Sequence, residues 1–206
     1  GHPMTGSEKT GILSATNTLL ENAYYIITPT ALTPKEEISE FRDFVLSLGA
    51  IPLILDYKIH DYSTAAISHL PHMIAYSLVN LVRQIDDDKE TMKTIAAGGF
   101  KDITRIASSS PVMWQNICAS NREPLLSLMD QYLALLTKLR GYIDSSNEQA
   151  LLSFFQQAKD YRDSITLPSV KSPTVYYECF VDLVDETGGI AAVAGLLAQY
   201  HISIKN

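Results

Sequence analysis

The sequence predicts a mainly α protein: an all-helical central domain, preceded by a partial α/β unit and followed by a second, incomplete β-α-β start. Three observations carry this. Residues 23–55 read as strand, helix, strand, and from Asp56 to about Leu167 apolar residues recur at helical spacing. After the Pro- and Ser-containing linker Leu167–Pro173, a strand-helix-strand pattern begins again and is short of a full domain at Asn206. The expected units are residues 1–55, 56–167 and 173–206.

In the first unit, Ala23–Thr30 (AYYIITPT) is β-branched and aromatic up to Pro29, and Ile51–Leu55 (IPLIL) is a second strand candidate. Between them Thr33 is the expected N-cap, with Pro34 at the first helical position and Glu36 closing a capping box. Ile38, Phe41, Val45 and Leu48 follow helical spacing, and Gly49 ends the helix. One βαβ unit leaves most of its apolar surface in water, so a preceding portion of a larger sheet is expected.

The central region opens with HDYSTAAISHLPHMIAYSLVNLVRQI, in which Met73, Ile74, Ala75, Tyr76, Leu78, Val79, Leu81 and Val82 make the helix apolar nearly all round. Such a helix is surrounded, and with the long amphipathic helices after it predicts a homodimer through Asp56–Ser164. Pro71 lacks an N–H and its ring opposes the carbonyl of Ile67, so a kink is expected there. Short helices broken at Gly98-Gly99 and Pro111 follow, then helices over REPLLSLMDQYLALLTKLRGYI and EQALLSFFQQAKDYRDSI. Asp86, Asp87 and Asp88 read as a solvated connector. In the tail, TVYYECFVDLVD and HISI are strand candidates around the helix GGIAAVAGLLAQY.

A net charge of -7 supplies no global basic field for nucleic acid or an anionic membrane, so an anionic ligand must be held by a few placed residues. No run of apolar residues reaches the roughly 18–20 that a membrane span needs, and the opening GHPMTGSEKTG is unlike a secretory signal. Cys118 and Cys179 lack C-x-x-C spacing and read as free thiols. A cytoplasmic protein is expected.

Of the five histidines, His69 and His72 sit three apart without a third ligand or an H-E-x-x-H pattern, so no metal is expected. On an unbroken helix His60 and His72 differ by about 120° and can border one groove, while His69 falls on another side, in a structural hydrogen-bonding role. Lys101 and Arg105 share a helical face behind two glycines, with Asp102 beside them. Spacing alone favours a solvated charged face, and the arrangement also suits a carboxylate ligand. His2 is either the remnant of a tag, Gly-His-Pro-Met, or part of a glycine-punctuated lip with Ser7 and Glu8.

GHPMTGSEKTG, HDYSTAAISHLPH and GGFKDITRIASSSPVMW, in that order and spacing, resemble the prephenate dehydrogenases of tyrosine biosynthesis. The resemblance runs from Gly1 to about Ser164. It implies the end of a nucleotide-binding Rossmann domain followed by a helical dimerisation domain. It also implies an oxidoreductase that converts prephenate to 4-hydroxyphenylpyruvate by oxidative decarboxylation, with NAD or NADP as hydride acceptor. The family's catalytic base matches His2, which overrules the tag reading. Arg105 matches the carboxylate-binding arginine, and His60 and His72 match pocket histidines, with Lys101, Asp102 and Trp114 in the same motif. Pro71 is then expected to turn His72 into the pocket and leave His69 on the packing side. The Rossmann G-x-G-x-x-G does not occur between Gly1 and Asn206.

VDLVDETGGIAAVAGLLAQYHISIKN is similar to the first half of an ACT-like regulatory domain, which implies a tyrosine effector near DETGGI. Two alternatives stay open. One is an arogenate-preferring or dual-specificity cyclohexadienyl dehydrogenase, with Glu8 as a residue that influences the choice. The other is a helical dimerisation module with no activity of its own.

Overall fold

A computed structural model describes residues 1–6, 11–12, 15–16, 18–165, 181, 187–200 and 202. Glu8, the linker 167–173 and, apart from residues 181 and 202, the two strand candidates of the tail lie outside the described residues. The chain divides into two compact units, Gly1–Val170 and Lys171–Asn206.

The first unit opens with a small three-stranded sheet, order β1-β2-β3, made of β1 (His2–Pro3), β2 (Tyr24–Ile27) and β3 (Ile51–Ile54). α1 (Lys35–Ser47) connects β2 to β3, which run parallel with Tyr24 opposite Ile51 and Ile27 opposite Ile54. This is the crossover unit that the strand-helix-strand pattern predicts. The addition is β1, antiparallel to β2 with His2 opposite Ile26. Two residues are too few to show alternation, so β1 has no sequence signature. Beside β1, a Cβ on Gly1 would lie 2.4 Å from Cε1 of the Tyr25 ring, so a side chain there would require that ring to move.

The capping box expected at α1 is absent. Pro34 is the N-cap, and the Thr33 hydroxyl instead accepts from the Thr30 backbone N–H and pairs with the Thr30 hydroxyl. The ST-type turn competes for the same oxygen and wins. At the other end Gly49 adopts φ +77°, which only glycine takes without strain. Val45, fully buried, packs with Ile27 and Ala50 at the centre of this sheet and helix.

The helical part starts at α2 (Tyr57–Thr64), capped by Asp56, whose carboxylate accepts from the Lys58 N–H. The helix then passes through a π turn, Ala65–His69, and continues as α3 (Leu70–Ile85). This turn lies immediately before Pro71, where the sequence predicts a departure from regular α-helix. Leu70 N–H bonds the Ala65 carbonyl five residues back, and Pro71, which has no N–H to donate, follows directly within the continuous helix. The stretch Tyr57–Ile85 is long and apolar enough by length and composition to cross a bilayer, although no unbroken apolar run is. Four of its residues, His60, Asp61, Thr64 and His69, line the cavity described below.

α4 (Thr91–Ile95), α5 (Gly98–Thr104), a 3-10 turn (Arg105–Ser108) and α6 (Pro111–Ser120) follow. Asp86 and Asp87 hold the entry to α4, accepting from the backbone N–H groups of Met92, Lys93 and Thr91. Two long helices complete the unit, α7 (Arg122–Asp144) and α8 (Glu148–Ser164), the second capped by the Asn147 side chain on Ala150 N–H. Few of their apolar residues are covered within one copy: Leu133, Ile143, Leu152 and Phe155 are each more than half exposed. In the second unit the described element is α9 (Gly189–Gln199), opened by Gly188 at φ +95°.

Candidate functional site

β1 carries His2 to the start of the helical part, where its Nδ1 lies 2.8 Å from Nε2 of His60 on α2. The rings meet edge to face, 5.1 Å between centroids. His60 Nδ1 in turn lies 2.8 Å from a carboxylate oxygen of Asp61. An ionised carboxylate only accepts, so the proton of neutral His60 sits on Nδ1 and its Nε2 carries a lone pair. That lone pair accepts Nδ1–H of His2, and Nε2 of His2 is left as an acceptor. Burial first, and then the neighbouring His60, hold the pKa of His2 below the ordinary value for histidine. The chain of contacts therefore builds a neutral imidazole with a basic nitrogen and a carboxylate two bonds behind it.

His69 joins the same place because of the π turn. Nine residues from His60, it would stand about 180° away on an ideal α-helix, but a π turn absorbs one extra residue and reduces the difference to about 80°. With His2, His60, Asp61, Thr64 and Asn121, His69 lines a cavity of about 250 Å³, closed on one side by Ile117 and Ser120 of α6. Asn121 Nδ2 donates to the Asp61 carbonyl at 2.8 Å and lies 3.2 Å from Nδ1 of His69. Burial, followed by the charges of His2, His72 and His60, lowers the pKa of His69, opposed by Asp61. Thr64 is buried and its hydroxyl has no hydrogen-bond partner among the described residues.

The other expected site residues lie elsewhere in the unit. His72, expected to point into the pocket, stacks on Trp114 with centroids 3.8 Å apart and bonds through Nδ1 to the Ser68 carbonyl at 2.8 Å. His69, expected on the packing side, is the one of the pair that reaches the cavity. Trp114 is buried, meets His69 edge to face, and leaves its indole N–H without a partner among the described residues. Lys101 and Asp102 are exposed on α5, and Arg105 is exposed at the start of the 3-10 turn; none of the three lines the cavity. The Tyr76 hydroxyl on α3 donates to the Ser109 carbonyl at 2.9 Å and fixes the turn after them.

Sequence reasoning missed Asp61, Thr64 and Asn121. Asp61 was readable as the carboxylate next to a histidine, but Asn121 is 60 residues from its partner Asp61 and no local pattern marks it. A larger open depression of about 520 Å³ lies at Glu21, Asn22, Ser47, Leu48 and Gly49. It gathers one carboxylate and no imidazole, so the chemistry belongs to the smaller cavity. Among the described residues no group of three or more His, Cys, Asp or Glu is placed to hold a metal ion.

Comparison with known proteins bears on both parts of the first unit. The family model "Prephenate dehydrogenase, nucleotide-binding domain" matches residues 1–52, and "Prephenate dehydrogenase, dimerization domain" matches residues 56–157. A prephenate dehydrogenase of Bacillus subtilis is 38% identical over 206 residues, all of this chain and 56% of the relative. A cyclohexadienyl dehydrogenase of Zymomonas mobilis is 35% identical over 162 residues, 78% of this chain and 55% of the relative. The chain thus spans about half the length of the curated relatives it matches. Among solved structures, prephenate dehydrogenase from A. aeolicus in complex with hydroxyphenyl propionate and NAD+ superposes with a TM-score of 0.76 at 30% identity, covering 80% of this chain and 58% of that one. Synechocystis arogenate dehydrogenase gives 0.70 at 29% identity, covering 79% of this chain and 59% of that one.

Proposed function

The chain belongs to the prephenate dehydrogenase family, and from that premise we propose that it supplies the proton-handling and substrate-holding groups for oxidative decarboxylation of prephenate to 4-hydroxyphenylpyruvate. The observation that carries the reading is the Asp61–His60–His2 chain, which leaves one basic nitrogen, Nε2 of His2, for a ligand hydroxyl. As that nitrogen takes the proton, the new positive charge on His2 is shared through His60 toward the Asp61 carboxylate. A general base must be unprotonated to act, and burial keeps His2 so near neutral pH.

The family uses NAD or NADP, as the nucleotide-binding family model and the NAD+ complex of the A. aeolicus structure support. Residues 1–206 hold no G-x-G-x-x-G turn to cradle a pyrophosphate. They do not fit the cofactor by themselves, and the role proposed for this chain ends at the proton and the substrate. Arg105, Lys101, His72 and Trp114 are proposed to hold the anionic part of the substrate, Arg105 by bidentate pairing with a carboxylate. A homodimer through the helical part accounts for the uncovered apolar faces of α7 and α8. A tyrosine effector on an ACT-like tail, and a cytoplasmic location, belong to the same reading.

Arogenate is the second substrate to weigh, because the arogenate and cyclohexadienyl dehydrogenases are among the chain's relatives. The test joins this chain to a complete nucleotide-binding domain and follows nicotinamide reduction with prephenate and arogenate side by side. Turnover of prephenate is expected, and turnover of neither compound would contradict the reading and leave a dimerisation module.

A further inference from the structure

Asn121 stands between α6 and α7, and its side-chain nitrogen faces two groups: the Asp61 carbonyl and Nδ1 of His69. A peptide carbonyl only accepts, so the amide nitrogen, not the amide oxygen, must face it; the chemistry decides the flip. That nitrogen can only donate, and its second N–H is directed at His69 Nδ1, which must therefore hold a lone pair. The proton of the neutral ring is on Nε2. A protonated His69 would set N–H against N–H and lose the contact.

We infer that Asn121 is a positioning residue that locks His69 in the Nε2–H tautomer, so that one cavity offers a bound hydroxyl a donor from His69 and an acceptor from His2. This rests on, and deepens, the reading of His2 as base. A hydroxyl is the group that answers both: its oxygen accepts from His69 while its proton points at Nε2 of His2. A ketone or an ether has no proton to give and leaves the His2 lone pair unmatched, which is how a buried polar site discriminates. Thr64, whose buried hydroxyl lines the same cavity without a partner among the described residues, is a further polar group that a ligand oxygen would satisfy.

The tautomer is measurable without turnover, by long-range nitrogen–proton correlation spectra of the whole nitrogen-labelled chain. Wild-type His69 is expected as Nε2–H above its pKa. Asn121→Asp, whose carboxylate accepts, should convert it to Nδ1–H, and Asn121→Ala should give a mixture of the two. An Nδ1–H ring in the wild type, or an Nε2–H ring that persists unchanged in both variants, overturns the assignment. In the enzyme with a complete nucleotide-binding domain, Asn121→Ala should lower kcat roughly tenfold with less effect on KM. An unchanged kcat would remove the positioning role while leaving the base role of His2 untouched, so the two ideas fail separately.

Discussion

His2 Nδ1 and His60 Nε2 lie 2.8 Å apart, and the bond joins the first strand of the sheet to the first helix of the helical part. It spans 58 residues of sequence. Two imidazoles in contact are poor neighbours when both are charged, and neutral rings with ordered tautomers make the contact favourable. The Asp61 carboxylate supplies the order by accepting from His60 Nδ1.

Asp61→Asn should therefore damage chemistry more than binding. The amide can present N–H to His60 and favour the wrong tautomer, and it cannot share the positive charge that develops on His2. We expect kcat to fall by about tenfold or more, roughly 1.4 kcal/mol at the transition state, with KM changed less. Steady-state kinetics on the enzyme with a complete nucleotide-binding domain gives both numbers, and a rise in KM at constant kcat would contradict the relay.

Stability should fall as the solution is acidified through the histidine range. The folded pKa values of His2 and His69 both lie below the ordinary one, so the unfolded chain binds more protons in the window just below about pH 6.5. Their contribution is fully present above that value and is lost as pH falls toward the folded pKa values. Urea midpoints at about pH 7.5 and about pH 5.5 should differ in the wild type, and differ less in a His2→Gln, His69→Gln double variant. An equal drop in both would assign the loss to other groups.

Trp114 offers a contrast between shape and hydrogen bonding. Its indole N–H has no partner among the described residues, whereas its ring stacks on His72 at 3.8 Å. Trp114→Ala should cost about 3–5 kcal/mol, as loss of a large buried ring does, and Trp114→Phe should cost distinctly less because the ring face is kept and no hydrogen bond is lost. Chemical denaturation followed by circular dichroism measures both. Equal losses would show that the N–H has a partner after all, such as one from a second copy.

The fold was legible where residue period and punctuation agree. Val45 lies on the apolar stripe of α1 and is its buried residue, Gly49 ends that helix at a positive φ, and the parallel strands fall within the two apolar runs that frame it. Thr33 shows the limit, since one hydroxyl can serve a helix cap or a turn and only the path of the chain decides. The site was legible in its histidines and not in their arrangement. Pattern reading assumes 3.6 residues per turn, and the π turn at Ala65–His69 changes the phase between His60 and the pair after it, so that His69 reaches the cavity and His72 meets Trp114. Asn121 and Asp61 come together only through the return of α7 across α2.

The measurement that bears most closely on the role of His2 is the pH–rate profile of His2→Asn beside the wild type, in the enzyme with a complete nucleotide-binding domain. If Nε2 of His2 takes the hydroxyl proton, the wild-type rate falls on the acid side with a pKa below the ordinary histidine value of about 6.5, as its burial and its neighbour His60 require. In His2→Asn that limb is absent, and kcat is lower by roughly 10²-fold or more with substrate affinity little changed. Wild-type turnover with the acid limb intact in the variant would contradict the assignment and move the base to another histidine of the cavity.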